Sequence, residues 1–190
     1  MFVITAAISK FISCRRYILK KRPGEVISPS QLDTVWFRKS KNIEIKKINL
    51  LFVGRIRVEK GIFSLVNLIK NKRDISLTIV GAEKNTSYPI NQSNVKIKFT
   101  ENNKNRLIKY YDDHNIFILP SFTEGYPMVL LEALARRRPV IIFEDIRHVA
   151  ENKKGVFVSK RNFSDLFNTI DYIKKNYKEI QNDIRKTKLP

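Results

Sequence analysis

One hundred and ninety residues, 43% of them hydrophobic, suffice for one ordinary domain, or for one domain with part of another. A formal charge of +19, from 37 Lys and Arg against 18 Asp and Glu, would attract polyanions or an anionic membrane face, yet the basic residues are scattered more than clustered. No apolar run approaches the roughly 20 residues that span a bilayer, the N-terminus lacks a signal-peptide pattern, and the single cysteine, Cys14, excludes an internal disulfide or a cysteine-based metal cluster.

In chain order, 2–5 reads as a short strand, 6–21 as a helix that Pro23 and Gly24 stop, and 25–28 as a second strand. The irregular polar stretch that follows, with Trp36 and Phe37, reads as a linker. From Ile48 strands and helices alternate regularly. Strands are predicted at 49–54, 76–81, 95–99, 115–120, 139–143 and 155–159. Helices are predicted over about 60–70, 103–112 and 127–137, with a short turn at 146–150 and an amphipathic pair over 162–171 and 172–187. Short strands that are apolar on both faces, separated by helices, predict an α/β fold with a doubly wound, Rossmann-like parallel sheet. The domains expected are a remnant at 1–30, a linker at 31–47 and the main domain at 48–190.

In such sheets ligands bind beyond the carboxyl ends of the strands. That rule selects the loops at 54–60, after Gly81, at 99–103, at 121–126 and at 144–146. The first, GRIRVEKG, offers Gly54 for a close turn and Arg55 and Lys60 as cations beside a helix start, which suits phosphate. Its glycine spacing fits neither a Walker A loop nor a G-x-G-x-x-G fingerprint. In the segment 120–142, PSFTEGYPMVLLEALARRRPVII, Gly125, Tyr126 and the amides of Met128 and Val129 mark a helix N-terminus with Pro127 in its first turn. Glu124 precedes that helix. Glu132 lies within it among leucines and alanines, where a carboxylate is costly without hydrogen-bond donors, and ligand hydroxyls are one source of them. Eight helical residues would separate the two glutamates by roughly 12 Å. That is wider than the about 5 to 9.5 Å of paired glycosidase carboxylates, so the spacing favours a grip on two ends of an extended ligand.

The combination of FVGRIRVEKG, SLTIVG, FILPSFTEGYPMVLLEALA and then PVI resembles the C-terminal, donor-binding half of a retaining glycosyltransferase of the GT-B fold, family four or group 1. The resemblance runs over about 48–159. It implies transfer of a sugar, of hexosyltransferase type, from a nucleotide-diphosphate sugar to a saccharide or lipid-linked acceptor in cell-envelope polysaccharide or glycolipid synthesis. Arg55 and Lys60 would hold the diphosphate and stabilise it as leaving group, Glu124 would meet sugar hydroxyls, and Glu132 the ribose. The backbone from Gly125 to Val129 would complete the contacts. No cofactor or metal is expected, since charge stabilisation by Arg55, Lys60 and the helix N-terminus suffices.

The resemblance also implies a cytoplasmic protein, with the inner membrane face as a peripheral setting, and acceptor contacts from an N-terminal domain of which 1–30 would be the remnant. A separate chain carrying that domain is the implied partner. The alternative is a truncated module, or a subunit of a split transferase, that binds the nucleotide sugar and transfers nothing. Nucleic acid is disfavoured, because no recognition helix, stacking platform or RNA-binding signature accompanies the charge. Two departures stand out: Arg137 occupies a helix end where similar proteins usually carry glycine, and EDIRHVAENKKG replaces a glycine-rich loop. His114 is expected to be structural, and His148 to lie near the donor pocket. The denser basic groups are Arg15, Arg16, Lys20, Lys21 and Arg22, then Arg136, Arg137 and Arg138, then Lys153, Lys154, Lys160 and Arg161.

Overall fold

A computed structural model describes residues 32–40, 43, 45–150 and 153–186. The readings made for 1–30, including the remnant domain, Cys14 and the first basic group, lie outside the described residues.

Six strands among the described residues, β1 (Ile48–Val53), β2 (Ile75–Ala82), β3 (Val95–Phe99), β4 (Ile116–Leu119), β5 (Val140–Phe143) and β6 (Val156–Ser159), form one parallel sheet in the order β3-β2-β1-β4-β5-β6. This is the doubly wound α/β architecture expected. β4 and β5, IFIL and VIIF, are buried at every position, as strands covered on both faces must be. β3 lies at one edge and turns Lys96 and Lys98 outward, which blunts pairing with another chain.

Among the described residues, five helices cover the sheet: α1 (Ile62–Leu68), α2 (Lys104–Asp113), α3 (Met128–Ala135), α4 (Phe163–Lys175) and α5 (Tyr177–Lys186). Asn103 and Asn162 cap α2 and α4, accepting from the amides of Arg106 at 3.1 Å and Asp165 at 2.9 Å. The buried Asn115 joins β1 to α5: its side chain spans Lys47 O and Asn49 N, and its carbonyl accepts from Tyr177.

Three local features differ from the sequence expectation. The helix predicted from Lys60 is split, because a 3-10 turn (Val58–Lys60) precedes Gly61, which is left-handed at φ 64°. A Cβ at Gly61 would lie 1.9 Å from the carbonyl oxygen of Pro120, so only glycine lets that loop seat against β4. Part of the predicted linker is fastened to the domain: Trp36 is buried and packs edge-on against Tyr111, with ring centroids 5.5 Å apart. The carbonyls of Trp36, Arg38 and Lys39 accept from Arg136 at 2.9, 2.7 and 3.3 Å. The group 136–138 is accordingly not a patch of surface charge. Arg136 and Arg138 are buried, and Arg136 forms a fork on Asp112 at 3.0 and 2.7 Å.

Arg137 has φ 57°, the left-handed conformation expected at this helix end. Arg137 N donates to Leu134 O and Arg138 N to Ala133 O, at 2.8 and 2.9 Å. These are the two bonds of a Schellman turn, formed here without glycine.

Candidate functional site

The loops that follow β1, β4, β5 and β6 meet at the carboxyl end of the sheet. Gly54 N donates to Val80 O at 2.9 Å, and a Cβ at Gly81 would fall 2.0 Å from Gly54 O, so the loop after β1 touches the end of β2 through bare backbone. Phe122 N donates to Glu59 O at 3.0 Å, which draws the loop before α3 onto the 3-10 turn that carries Lys60.

Lys60 Nζ lies 2.7 Å from Glu124 Oε1, and Ser121 Oγ donates to the same oxygen at 2.6 Å. The two side chains of the ion pair are 25% and 11% exposed, sheltered enough for the charge-assisted bond to be held, and open enough for a ligand to reach it. Glu124 Oε2 has no hydrogen-bond partner among the described residues. His148 Nε2 is 2.8 Å from Glu124 O. A carbonyl only accepts, so Nε2 carries the proton, and the turn Glu144–Ala150 pins the glutamate's backbone.

Beside this loop, Gly125, Tyr126, Pro127, His148, Val149 and Lys153 help to line a cleft of about 110 Å³. A side chain at Gly125 would meet nothing within 4 Å. α3 begins at Met128 with no side-chain cap, so its first amides take no acceptor from a capping group.

Glu132 lies one face along α3, where Tyr111 donates to its Oε2 at 2.7 Å. Burial raises the Glu132 carboxyl above its ordinary value, and the hydrogen bond from Tyr111 pulls it part of the way back. Burial and the neighbouring Glu132 hold the phenol of Tyr111 well above its own. The donor that Glu132 needs is thus supplied within the chain, from α2. His114 bonds the carbonyl of Tyr110 at 2.7 Å and the hydroxyl of Thr78 at 2.8 Å, and burial lowers its pKa, which suits the structural role expected of it.

The candidate residues are therefore gathered unequally. Lys60 and Glu124 are in contact, Gly125, Tyr126, Met128 and Val129 follow directly, and Glu132 is held by α2. Arg55 is exposed and has no ion-pair partner among the described residues. Sequence reasoning missed Ser121, Tyr111, Arg161 and Asp145. Ser121 lies only three residues before Glu124 in the same loop, so its contact is a local one. That of Tyr111 is not, since it reaches Glu132 across 21 positions of sequence.

The chain matches the family described as glycosyl transferases group 1 over residues 36–188. It is 28% identical over 155 residues to an uncharacterized glycosyltransferase of Haemophilus influenzae, covering 75% of this chain and 43% of the relative. It is 28% identical over 134 residues to the capsular polysaccharide biosynthesis glycosyltransferase CapM of Staphylococcus aureus, covering 63% of this chain and 35% of that protein. The sucrose-phosphate synthase from Thermosynechococcus elongatus superposes on 74% of this chain, and over 41% of its own, with a TM-score of 0.58 at 21% identity; this likeness shows the fold. The chain spans less than half the length of these curated relatives.

Proposed function

Because the chain belongs to the group 1 glycosyl transferases, of the GT-B fold, we propose that it binds a nucleotide-diphosphate sugar and carries the donor side of a retaining glycosyl transfer. The acceptor is a saccharide or a lipid-linked acceptor of cell-envelope polysaccharide or glycolipid synthesis, the polysaccharide class being suggested by the name of the Staphylococcus aureus relative. The observation that carries this reading is the contact between Lys60 and Glu124, which joins two loops 64 residues apart at the ligand-binding edge of the sheet.

Lysine has three donors and Glu124 uses one, so Lys60 can bind diphosphate oxygens without leaving its carboxylate. Arg55, exposed and without an ion-pair partner among the described residues, adds a second cation, and the uncapped amides of Met128 and Val129 add neutral donors. Together they offset the charge that grows on the departing diphosphate, with no metal in the step. Glu124 Oε2 faces the sugar hydroxyls. Glu132 accepts from the ribose hydroxyls through the oxygen that Tyr111 leaves open. The reaction takes place at the cytoplasmic side of the membrane, with acceptor contacts supplied by a domain outside 48–190 or by a separate chain.

Isothermal calorimetry with UDP, GDP and ADP tests the shared core of the reading. Binding of one nucleotide is expected, weakened about tenfold or more by Lys60→Ala and by Glu132→Ala. No binding to any of the three overturns the proposal. Binding without transfer, in assays both alone and with partner domains, assigns the chain instead to the non-catalytic nucleotide-sugar-binding alternative.

A further inference from the structure

Arg161 follows β6 and belongs to the basic group 153–161, which the donor reading does not use. Its guanidinium is committed inside the protein. Nε and Nη2 reach Asp145 Oδ2 at 3.2 and 2.6 Å, Nη1 donates to Pro120 O at 2.9 Å, and Nη2 also donates to Ser121 O at 3.3 Å. Its centre lies 4.1 Å from the ring centroid of Phe122 and 4.4 Å from that of Phe143. One side chain thus gathers the loops after β4, β5 and β6. A surface ion pair with Asp145 would need neither the two carbonyls nor the two rings.

The two carbonyls are informative because of what lies on either side of them. The next amide, Phe122 N, holds Glu59 O beside Lys60, and the hydroxyl of Ser121 holds Glu124 Oε1. Pro120 O is also the atom against which Gly61 must stay bare, and Nη1 would lie 3.1 Å from a Cβ there. The backbone that Arg161 grips is therefore the backbone that sets Lys60 and Glu124 against each other.

We propose that Arg161, braced by Asp145, is a positioning residue for the donor site: by holding Pro120 O and Ser121 O it places Lys60 and Glu124 for the diphosphate. The inference rests on the donor reading above. A planar fork is essential to it, because the four hydrogen bonds to two carbonyls and a carboxylate exceed the three donors of an ammonium, which also has no flat face to set beside two rings.

The test is a double-mutant cycle on the full chain, read by calorimetry with whichever of UDP, GDP or ADP the wild type binds, with thermal midpoints recorded alongside. Arg161→Gln is expected to lose about tenfold in affinity, as misplacement of binding groups does, and Arg161→Lys to lose nearly as much. Asp145→Asn, which leaves Arg161 in place but unbraced, should lose less in the same direction. Because Arg161 acts through Lys60, Arg161→Gln combined with Lys60→Ala should bind little worse than Lys60→Ala alone. Losses that multiply in the double variant overturn the proposal, as does a lowered thermal midpoint with unchanged affinity. Should Arg161→Gln fail to fold, Asp145→Asn with Lys60→Ala completes the same cycle. A wild type that binds no nucleotide overturns the donor reading and this inference together, a result distinct from an additive cycle.

Discussion

Tyr111 donates its phenolic hydrogen to Glu132 Oε2 at 2.7 Å, joining α2 to the one carboxylate set among the leucines and alanines of α3. The pair makes a pH-dependent prediction. Burial raises the Glu132 carboxyl above 4.5, so the folded protein favours its protonated form. The stability this contributes is fully present below the ordinary value and is lost as pH rises through the raised one. Urea unfolding across that window should show stability falling with pH, and Glu132→Gln should flatten the slope. Tyr111→Phe removes the bond that lowers the carboxyl's pKa, so the window should move upward. The same change should cost about 1–3 kcal/mol for the polar group left unsatisfied.

Arg136 fastens residues 36–39 to the domain by three carbonyls and by its fork on Asp112. Arg136→Met leaves those carbonyls without their donor and Asp112 with only the longer ion pair to Arg138 at 3.6 Å, and is expected to cost about 3–5 kcal/mol. Trp36 is the single tryptophan and is buried, so its fluorescence reports the event directly. A red-shifted emission under native conditions is the expected outcome.

Arg137 adopts φ 57°, which costs a residue with a Cβ about 1 kcal/mol or more. Arg137→Gly should therefore stabilise the protein by about 1 kcal/mol, read as a higher urea midpoint at an unchanged slope. Arg137→Ala, which keeps the Cβ, should gain little.

Gly61 is left-handed and abuts Pro120 O. Gly61→Ala should destabilise by about 2–4 kcal/mol, combining backbone strain with overpacking. It should also weaken nucleotide binding more than Gly125→Ala does, because a methyl group at Gly125 meets no protein atom.

The strands were legible because each is a short apolar run that the sheet buries on both faces, and this periodicity is a local property of the chain. β4 and β5 read as strands, and are strands, for that reason. The left-handed turn at Arg137 was legible too, since a helix that must stop just before Pro139 leaves few other ways out. Lys60 and Glu124 could be named as candidates from the loops that carry them, but their contact could not, because nothing within either loop specifies the other.

The sequence by itself determined the order of the strands and helices, the edge of the sheet where a ligand belongs, and the residue types placed there, since all three follow from local pattern and a general rule of parallel sheets. Only the tertiary structure decided which charges are spent inside the protein and which stay exposed. Arg136, Arg138 and Arg161 look in sequence like Arg55, yet the first two are buried and Arg161 is tied to Asp145 and two carbonyls, while Arg55 is exposed. An arginine's role depends on the carbonyls, carboxylates and rings that long-range packing brings to it, and those partners lie 16 to 100 positions away in the chain.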